Sequence, residues 1–215
     1  MRSVVIDIGG VIFPDIWETI FLHPEEGIIK YANIEKSLKE NKLKYLWDKY
    51  AIFAPVNNDW KKTEIDYWTE IKEILNIDLS VDLLINKSIE VIKPYKNVED
   101  VIIKRIINYN ETVVCSNQSS FWFERQLLVS DVLKVIPRDK MVLSFECGMT
   151  KEEKPYEMFN IAEKKCNNKG INILYIDDRE INIEHAKKYG FEANKFLYEN
   201  EYSIKKLENI LDKYL

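Results

Sequence analysis

Ser3-Val4-Val5-Ile6-Asp7-Ile8-Gly9-Gly10-Val11 is the stretch on which the reading of this chain turns. Val4, Val5 and Ile6 form an unbroken β-branched run, the pattern of a parallel strand covered on both faces. Asp7 closes that run, and Gly9-Gly10 allow the backbone to turn sharply and lie close to a ligand. A carboxylate at the C-terminal tip of a central strand stands where open α/β sheets bind their ligands. An aspartate in this position can also do no more than cap a turn. Its meaning therefore depends on what the rest of the chain brings beside it.

The next stretch, over about 14–92, carries almost wholly helical signals. Ile65, Trp68, Ile71 and Leu75 recur at helical spacing, Thr63 with Asp66 suggests an N-terminal cap, and Ser80 precedes a run containing Leu83, Leu84, Lys87 and Val91. Trp47, Tyr50, Phe53, Trp60 and Trp68 make it aromatic, as rings that pack helices together do. From Pro94 onward helices alternate with short strands. The pattern predicts a helix over 98–108, strands over 112–116 and 141–145, and a helix starting near Pro155. A strand over 172–177 follows, then a helix over 180–189 closed by Gly190. A short strand over 193–198 and a helix over 204–214 end the chain. Such alternation predicts an α/β fold, a parallel sheet with helices on both faces. No repeat and no Pro/Gly-rich linker interrupts it, so the helical stretch reads as an insertion after the first strand.

Composition narrows the function classes. The 215 residues are 46% hydrophobic and 31% charged, a soluble globular balance with enough chain for one ample core and a small second lobe. Thirty-one basic against 36 acidic residues give a net charge of -5, which argues against a sequence-independent nucleic-acid binder. Lys36, Lys39, Lys42 and Lys44 read as a solvated helix face. Cys115, Cys147 and Cys166 cannot all pair with one another, and Cys115 lies in an apolar run, so a reducing cytoplasm is the expected compartment. His23 and His185, with no close cysteine pair, do not make a zinc site. No signal peptide and no run of bilayer length is visible, so no membrane association is expected.

Each predicted core strand ends in polar residues that would meet at one edge of the sheet. The first ends at Asp7, the second at Ser116-Asn117, the third leads through Gly148 to Lys154-Pro155, and the last ends at Asp177-Asp178. Together they offer carboxylates for a hard cation, a nucleophilic oxygen, and hydroxyl, amide and ammonium donors for a trianionic group. Phosphoryl transfer asks for these parts.

In that order the four motifs resemble those of the haloacid dehalogenase-like (HAD) hydrolase superfamily, and the match runs nearly end to end. The resemblance implies a Rossmann-like catalytic core over 1–13 and 94–215, with 14–93 as a small all-helical cap closing over the substrate. It puts Asp7 at the aspartyl nucleophile and Ser116, Asn117 and Lys154 around the phosphoryl group, with Lys151 as a competing candidate for the lysine role. Mg²⁺ would be held by Asp7, the Gly9 backbone carbonyl, Asp178 and Asp177. A small phosphorylated metabolite would be the substrate, a sugar phosphate among the options.

One departure matters. The family's phosphatases usually carry a second aspartate two residues after the nucleophile, as general acid and base, and here that position is Gly9. General acid catalysis is worth ~10²–10⁴ in rate. Asp15 and Glu18 are nearby carboxylates that could substitute. Three readings stay open: an Mg²⁺-dependent phosphatase with another acid or a good leaving group, a 2-haloacid dehalogenase needing neither second aspartate nor metal, and a catalytically weak phospho-ligand or protein-binding member.

Overall fold

The computed structural model describes residues 2–22, 27–32, 36–52, 59–108 and 110–215; His23 and Phe53 lie outside them. Five strands form one sheet, all pairs parallel: β1 (Ser3–Ile6), β2 (Glu111–Ser116), β3 (Met141–Leu143), β4 (Ile173–Asp177) and β5 (Glu192–Lys195), in the order β3-β2-β1-β4-β5. Between β1 and β2 the chain forms α1 (Lys36–Ile52), α2 (Trp60–Leu75), α3 (Val81–Glu90) and α4 (Lys96–Ile102). Next come α5 (Ser120–Val129), α6 (Asp131–Val135), the single turn α7 (Ser144–Cys147), α8 (Pro155–Lys165), α9 (Glu180–Tyr189) and α10 (Tyr202–Tyr214).

The β-branched run at the start becomes the centre of the sheet. Val5 registers with Val113 on one side and Tyr175 on the other, and all four β1 residues are buried. Alternate side chains of a strand point to opposite faces, so β1 feeds two apolar clusters. Val5 packs with Met158 and Phe159 of α8 and with Ile183 and Ala186 of α9. Val4 and Ile6 pack on the other face with Ile102 of α4, Phe121 of α5 and Leu207 of α10. Trp68 of α2 and Leu84 of α3 belong to that same cluster, so the inserted helices and the sheet share a continuous apolar core. A buried Glu64 of α2 also receives both Nε (2.7 Å) and Nη2 (2.5 Å) of Arg125 on α5, a fork that ties insertion to core. Among the described residues no helix is long and apolar enough to cross a membrane.

Local chemistry moves some predicted boundaries. α2 starts at Trp60, capped not by Thr63 but by Asp59, whose Oδ1 accepts the Lys62 N–H at 3.1 Å. Its buried face is Glu64, Tyr67, Trp68, Ile71 and Leu75, and Ile65 is half exposed. Ser80 does cap α3, accepting the Leu83 N–H at 3.2 Å. The strand predicted over 141–145 stops at Leu143, because Ser144 turns its hydroxyl to the loop after β2. Its Oγ accepts the Gln118 N–H (2.9 Å) and donates to the Gln118 carbonyl (3.0 Å), a side-chain alternative to continuing the ladder. The helix predicted over 98–108 is α4 followed by a wider π-type turn at Ile103–Ile107.

Candidate active site

After β3 the chain crosses back past β1 to lay down β4, so strand order reverses at β1 and β4. Ligands of open α/β sheets bind beyond the strand tips at such a switch point. Asp7 lies there. Its N–H donates to the Ile176 carbonyl at 2.9 Å, carrying the β1–β4 pairing one residue past the strand, and its Oδ1 accepts the Ile8 N–H at 2.7 Å. The loop then folds back on itself, with the Ile12 and Phe13 N–H groups both donating to the Ile8 carbonyl. The two glycines have different duties. Gly10 has φ +68°, and a Cβ there would stand 2.5 Å from the Asp178 carboxyl carbon, so only glycine lets Asp178 lie against the loop. A Cβ at Gly9 would meet nothing within 4 Å, and Gly9 lines the cavity.

Beneath this loop one lysine is buried between two carboxylates. Lys151 Nζ lies 2.7 Å from Asp7 Oδ2 and 2.6 Å from Asp177 Oδ2, with its side chain 1% exposed. Lys154, the residue preferred for this role from its proline neighbour, is exposed at the N-terminal boundary of α8 and does not line the cavity. The Lys-Pro pair marks where a helix begins, whereas the buried ammonium is set by the short turn after Gly148. The tighter spacing from Gly148 was the available signal for Lys151.

Ser116 lies buried on the cavity wall, with Gln118 Nε2 donating to its Oγ at 3.4 Å. Asn117 lines the cavity too, but its amide is engaged by the loop that carries Lys151. Its Oδ1 accepts the Lys151 N–H at 3.0 Å and its Nδ2 donates to Glu152. Asp177 is fully engaged, accepting from Lys151, the Tyr175 hydroxyl, Asn182 Nδ2 and the Arg179 N–H. It is thereby built to hold Lys151, which leaves Asp178 the more available carboxylate.

Charges here are out of balance. Asp7, Asp177 and Asp178 each place a carboxylate oxygen within 4.8 Å of the others, and among the described residues Lys151 is the cation bonded between Asp7 and Asp177. Burial, then repulsion from Asp177 and Asp178, pushes Asp7 up to about 8 despite Lys151. Burial and the Asp177 charge push Asp178 up to about 7. Burial would raise Asp177 as well, but the Lys151 ammonium holds it below the usual carboxylate range. Burial works against the charge on Lys151, yet Asp177 and Asp7 hold its affinity for the proton well above normal. A cluster of hard oxygen donors with surplus negative charge is the donor set that Mg²⁺ takes, so these residues fit the ion.

A cavity of about 460 Å³ opens over Asp7. Trp17, Trp47 and Trp122 line it, with Trp47 set between Trp17 (5.5 Å) and Trp122 (5.6 Å). Phe121 does not line it and is buried in the core beside Trp122. Arg179 spans the cavity lining, 3.3 Å from Asp15 and 3.2 Å from Glu152. Asp15, a candidate substitute acid, is thus held by a guanidinium and also accepts the Glu18 N–H at 3.0 Å. Glu18 is exposed and does not line the cavity. Sequence reasoning missed Gln126, a glutamine on this wall, because no helix was expected over 120–129.

No protein-family model and no curated protein matches the chain. Solved structures do. The HAD family enzyme BT-2542 from Bacteroides thetaiotaomicron superposes with a TM-score of 0.68 at 16% identity, over 94% of this chain and 97% of that one. Its wild-type complex with magnesium and inorganic phosphate gives 0.63 at 19% identity, over 94% and 98%. The L-2-haloacid dehalogenase from Xanthobacter autotrophicus, with chloropropionic acid covalently bound, gives 0.58 at 14% identity, over 96% and 81%. The chain has the fold of the HAD-like superfamily, with Asp7 at the tip of its central strand.

Proposed function

We propose that the chain is an Mg²⁺-dependent phosphatase that hydrolyses a small phosphomonoester through an aspartyl-phosphate on Asp7. The observation that carries this reading is the Asp7 carboxylate fixed at the switch point by Lys151, with Asp178 and the Gly9 turn beside it. Asp7, Asp178 and the Gly9 carbonyl would hold the ion, with Asp177 acting through Lys151. Bound there, Mg²⁺ supplies charge neutralisation for a phosphoryl group and helps to orient it.

The chain's own residues then divide the work. An Asp7 carboxylate oxygen forms a bond to phosphorus as the bond from phosphorus to the leaving oxygen breaks, which splits one difficult step into two. The Lys151 ammonium and the Ser116 hydroxyl offset charge on the phosphoryl oxygens, while Asn117 keeps the Lys151 loop in place. Water then attacks phosphorus, releasing inorganic phosphate and restoring the Asp7 carboxylate. Gly9 has no side chain to protonate the leaving oxygen, so anomeric and acyl phosphates, whose leaving groups are less basic than a simple alkoxide, are the favoured class. Three free cysteines support a cytoplasmic compartment.

A dehalogenase reading has one observation in its favour. Lys151 already offsets Asp177, so the carboxylate pair does not by itself demand a cation. The two separate in a single experiment. Phosphate release from acetyl phosphate and an aryl phosphate is expected to require Mg²⁺ and to vanish in Asp7→Asn. Activity that survives EDTA, or halide release from a 2-haloacid, refutes the phosphatase.

A further inference from the structure

Gln126 is a buried polar residue that none of the chemistry above uses. It is 0% exposed and lines the cavity, and both Nε2 and Oε1 lack a hydrogen-bond partner among the described residues. One turn before it on the same face of α5, Trp122 is 1% exposed, lines the same cavity, and has an unpartnered Nε1. A buried polar group left without a partner is destabilising, so such atoms are met by something. Here two side chains, with three orphaned atoms between them, share one helix face against one cavity.

We infer that Gln126 and Trp122 form the specificity subsite of this cavity and read an uncharged leaving group that carries adjacent hydroxyls. This rests on the phosphatase reading of the cavity, but the recognition chemistry stands by itself. A carboxamide offers a donor and an acceptor side by side, and the indole adds a donor. Adjacent hydroxyls both donate and accept, so together they satisfy the whole set. An alkyl chain satisfies none of it. A carboxylate accepts only, which would leave Gln126 Oε1 unmet, and the nearby charges are already committed: Lys44 pairs with Asp48 at 2.7 Å, and Arg179 is shared between Asp15 and Glu152. Gln126 lies six residues into α5, ~9 Å along its axis from Ser120. A cavity of about 460 Å³ is within the range that holds a small ligand.

Binding separates this inference from the catalytic one. In Asp7→Asn with Mg²⁺ present, fluorescence of the cavity tryptophans reports occupancy without turnover. The probes are pentose and hexose monophosphates, glycerol phosphate, butyl phosphate, phosphoglycerate and inorganic phosphate. At least one sugar monophosphate is expected to bind tenfold or more tightly than butyl phosphate. Gln126→Leu is expected to erase that preference while leaving inorganic phosphate unchanged, and Trp122→Phe, which removes the indole donor together with part of the ring, to weaken it several-fold with Trp17 and Trp47 still reporting. If Gln126→Leu fails to bind inorganic phosphate, Gln126→Asn and Trp122→Phe decide the matter. Equal binding of butyl and sugar phosphates, a best ligand among the carboxylates, or a preference indifferent to these substitutions overturns the subsite. Phosphate release by the unsubstituted chain is scored separately: release without a hydroxyl preference keeps the phosphatase and discards the subsite. A preference without release does the reverse.

Discussion

Replacing Lys151 by methionine tests whether the buried ammonium is what organises the sheet tip. The side chain bonds Asp7 at 2.7 Å and Asp177 at 2.6 Å with 1% exposure. Methionine keeps much of the volume and removes the charge, leaving two buried carboxylates with no counter-ion. Removing one partner of a buried pair costs about 3–5 kcal/mol. At ~2–4 °C per kcal/mol for a chain of this size, the melting temperature falls by roughly 6–20 °C. Adding Asp177→Asn to that variant removes one stranded charge and is expected to regain part of the loss, the signature of a coupled pair. Lys154→Met, at an exposed position, is expected to stay within ~0.5 kcal/mol. Thermal and urea unfolding of the four proteins in EDTA measure these effects. A Lys151→Met cost below about 1 kcal/mol, or a Lys154→Met cost as large, would show that the ammonium at Asp7 is not the one assigned.

Gly9→Asp is expected to raise turnover of alkyl phosphates with poor leaving groups by up to ~10²–10⁴ while changing acetyl phosphate little, since the added Cβ meets nothing within 4 Å; an unchanged slope of rate against leaving-group pKa refutes it. Gly10→Ala is the contrasting control, because its Cβ would strike Asp178. Glu111, although partly buried, is held below its usual pKa by Lys140, the Asn167 N–H and the Ser3 hydroxyl. A depressed carboxylate stabilises the fold above its unfolded pKa of 4.5 and loses that contribution as pH falls through the lower folded value. Urea midpoints between pH 7 and 3 are therefore expected to drop more steeply for the native chain than for Glu111→Gln, and parallel curves refute the assignment.

The sheet was legible because burial on both faces writes an unmistakable signal: Val4-Val5-Ile6 and Val113-Val114-Cys115 are continuous apolar runs, and β1 proved central. The polar residues at the ends of the first, second and fourth strands were legible too, since Asp7 follows β1 at once and Ser116 and Asp177 close β2 and β4. The lysine was less so. Lys151 and Lys154 differ by three residues, and only the fold shows which one enters the interior. α5 escaped notice because Phe121, Trp122 and Phe123 are all buried, so its start shows no apolar stripe against a polar face. Gln126 was hidden with it, since a glutamine on an exposed helix face and one at a cavity wall look identical in sequence.

The missing acid and the orphaned amide bear on the same problem from opposite sides. An enzyme that cannot protonate its leaving group must take substrates whose leaving groups depart unaided, and such phosphates are common to many metabolites. Chemistry at Asp7 would then discriminate little, and selectivity would have to come from the part of the substrate that does not react. Binding energy gathered there can be spent on orienting phosphorus against Asp7. Gln126 and Trp122 lie on the helix that follows Ser116-Asn117, and α5 is locked to the insertion through Arg125 and Glu64. The wall that would read the leaving group is thereby tied to the insertion, apart from the contacts that hold Asp7 and Lys151 together. A substitution at the Arg125–Glu64 fork should then disturb selectivity before it disturbs the Asp7–Lys151 pair, whose own partners all lie in the sheet tip and the Lys151 loop.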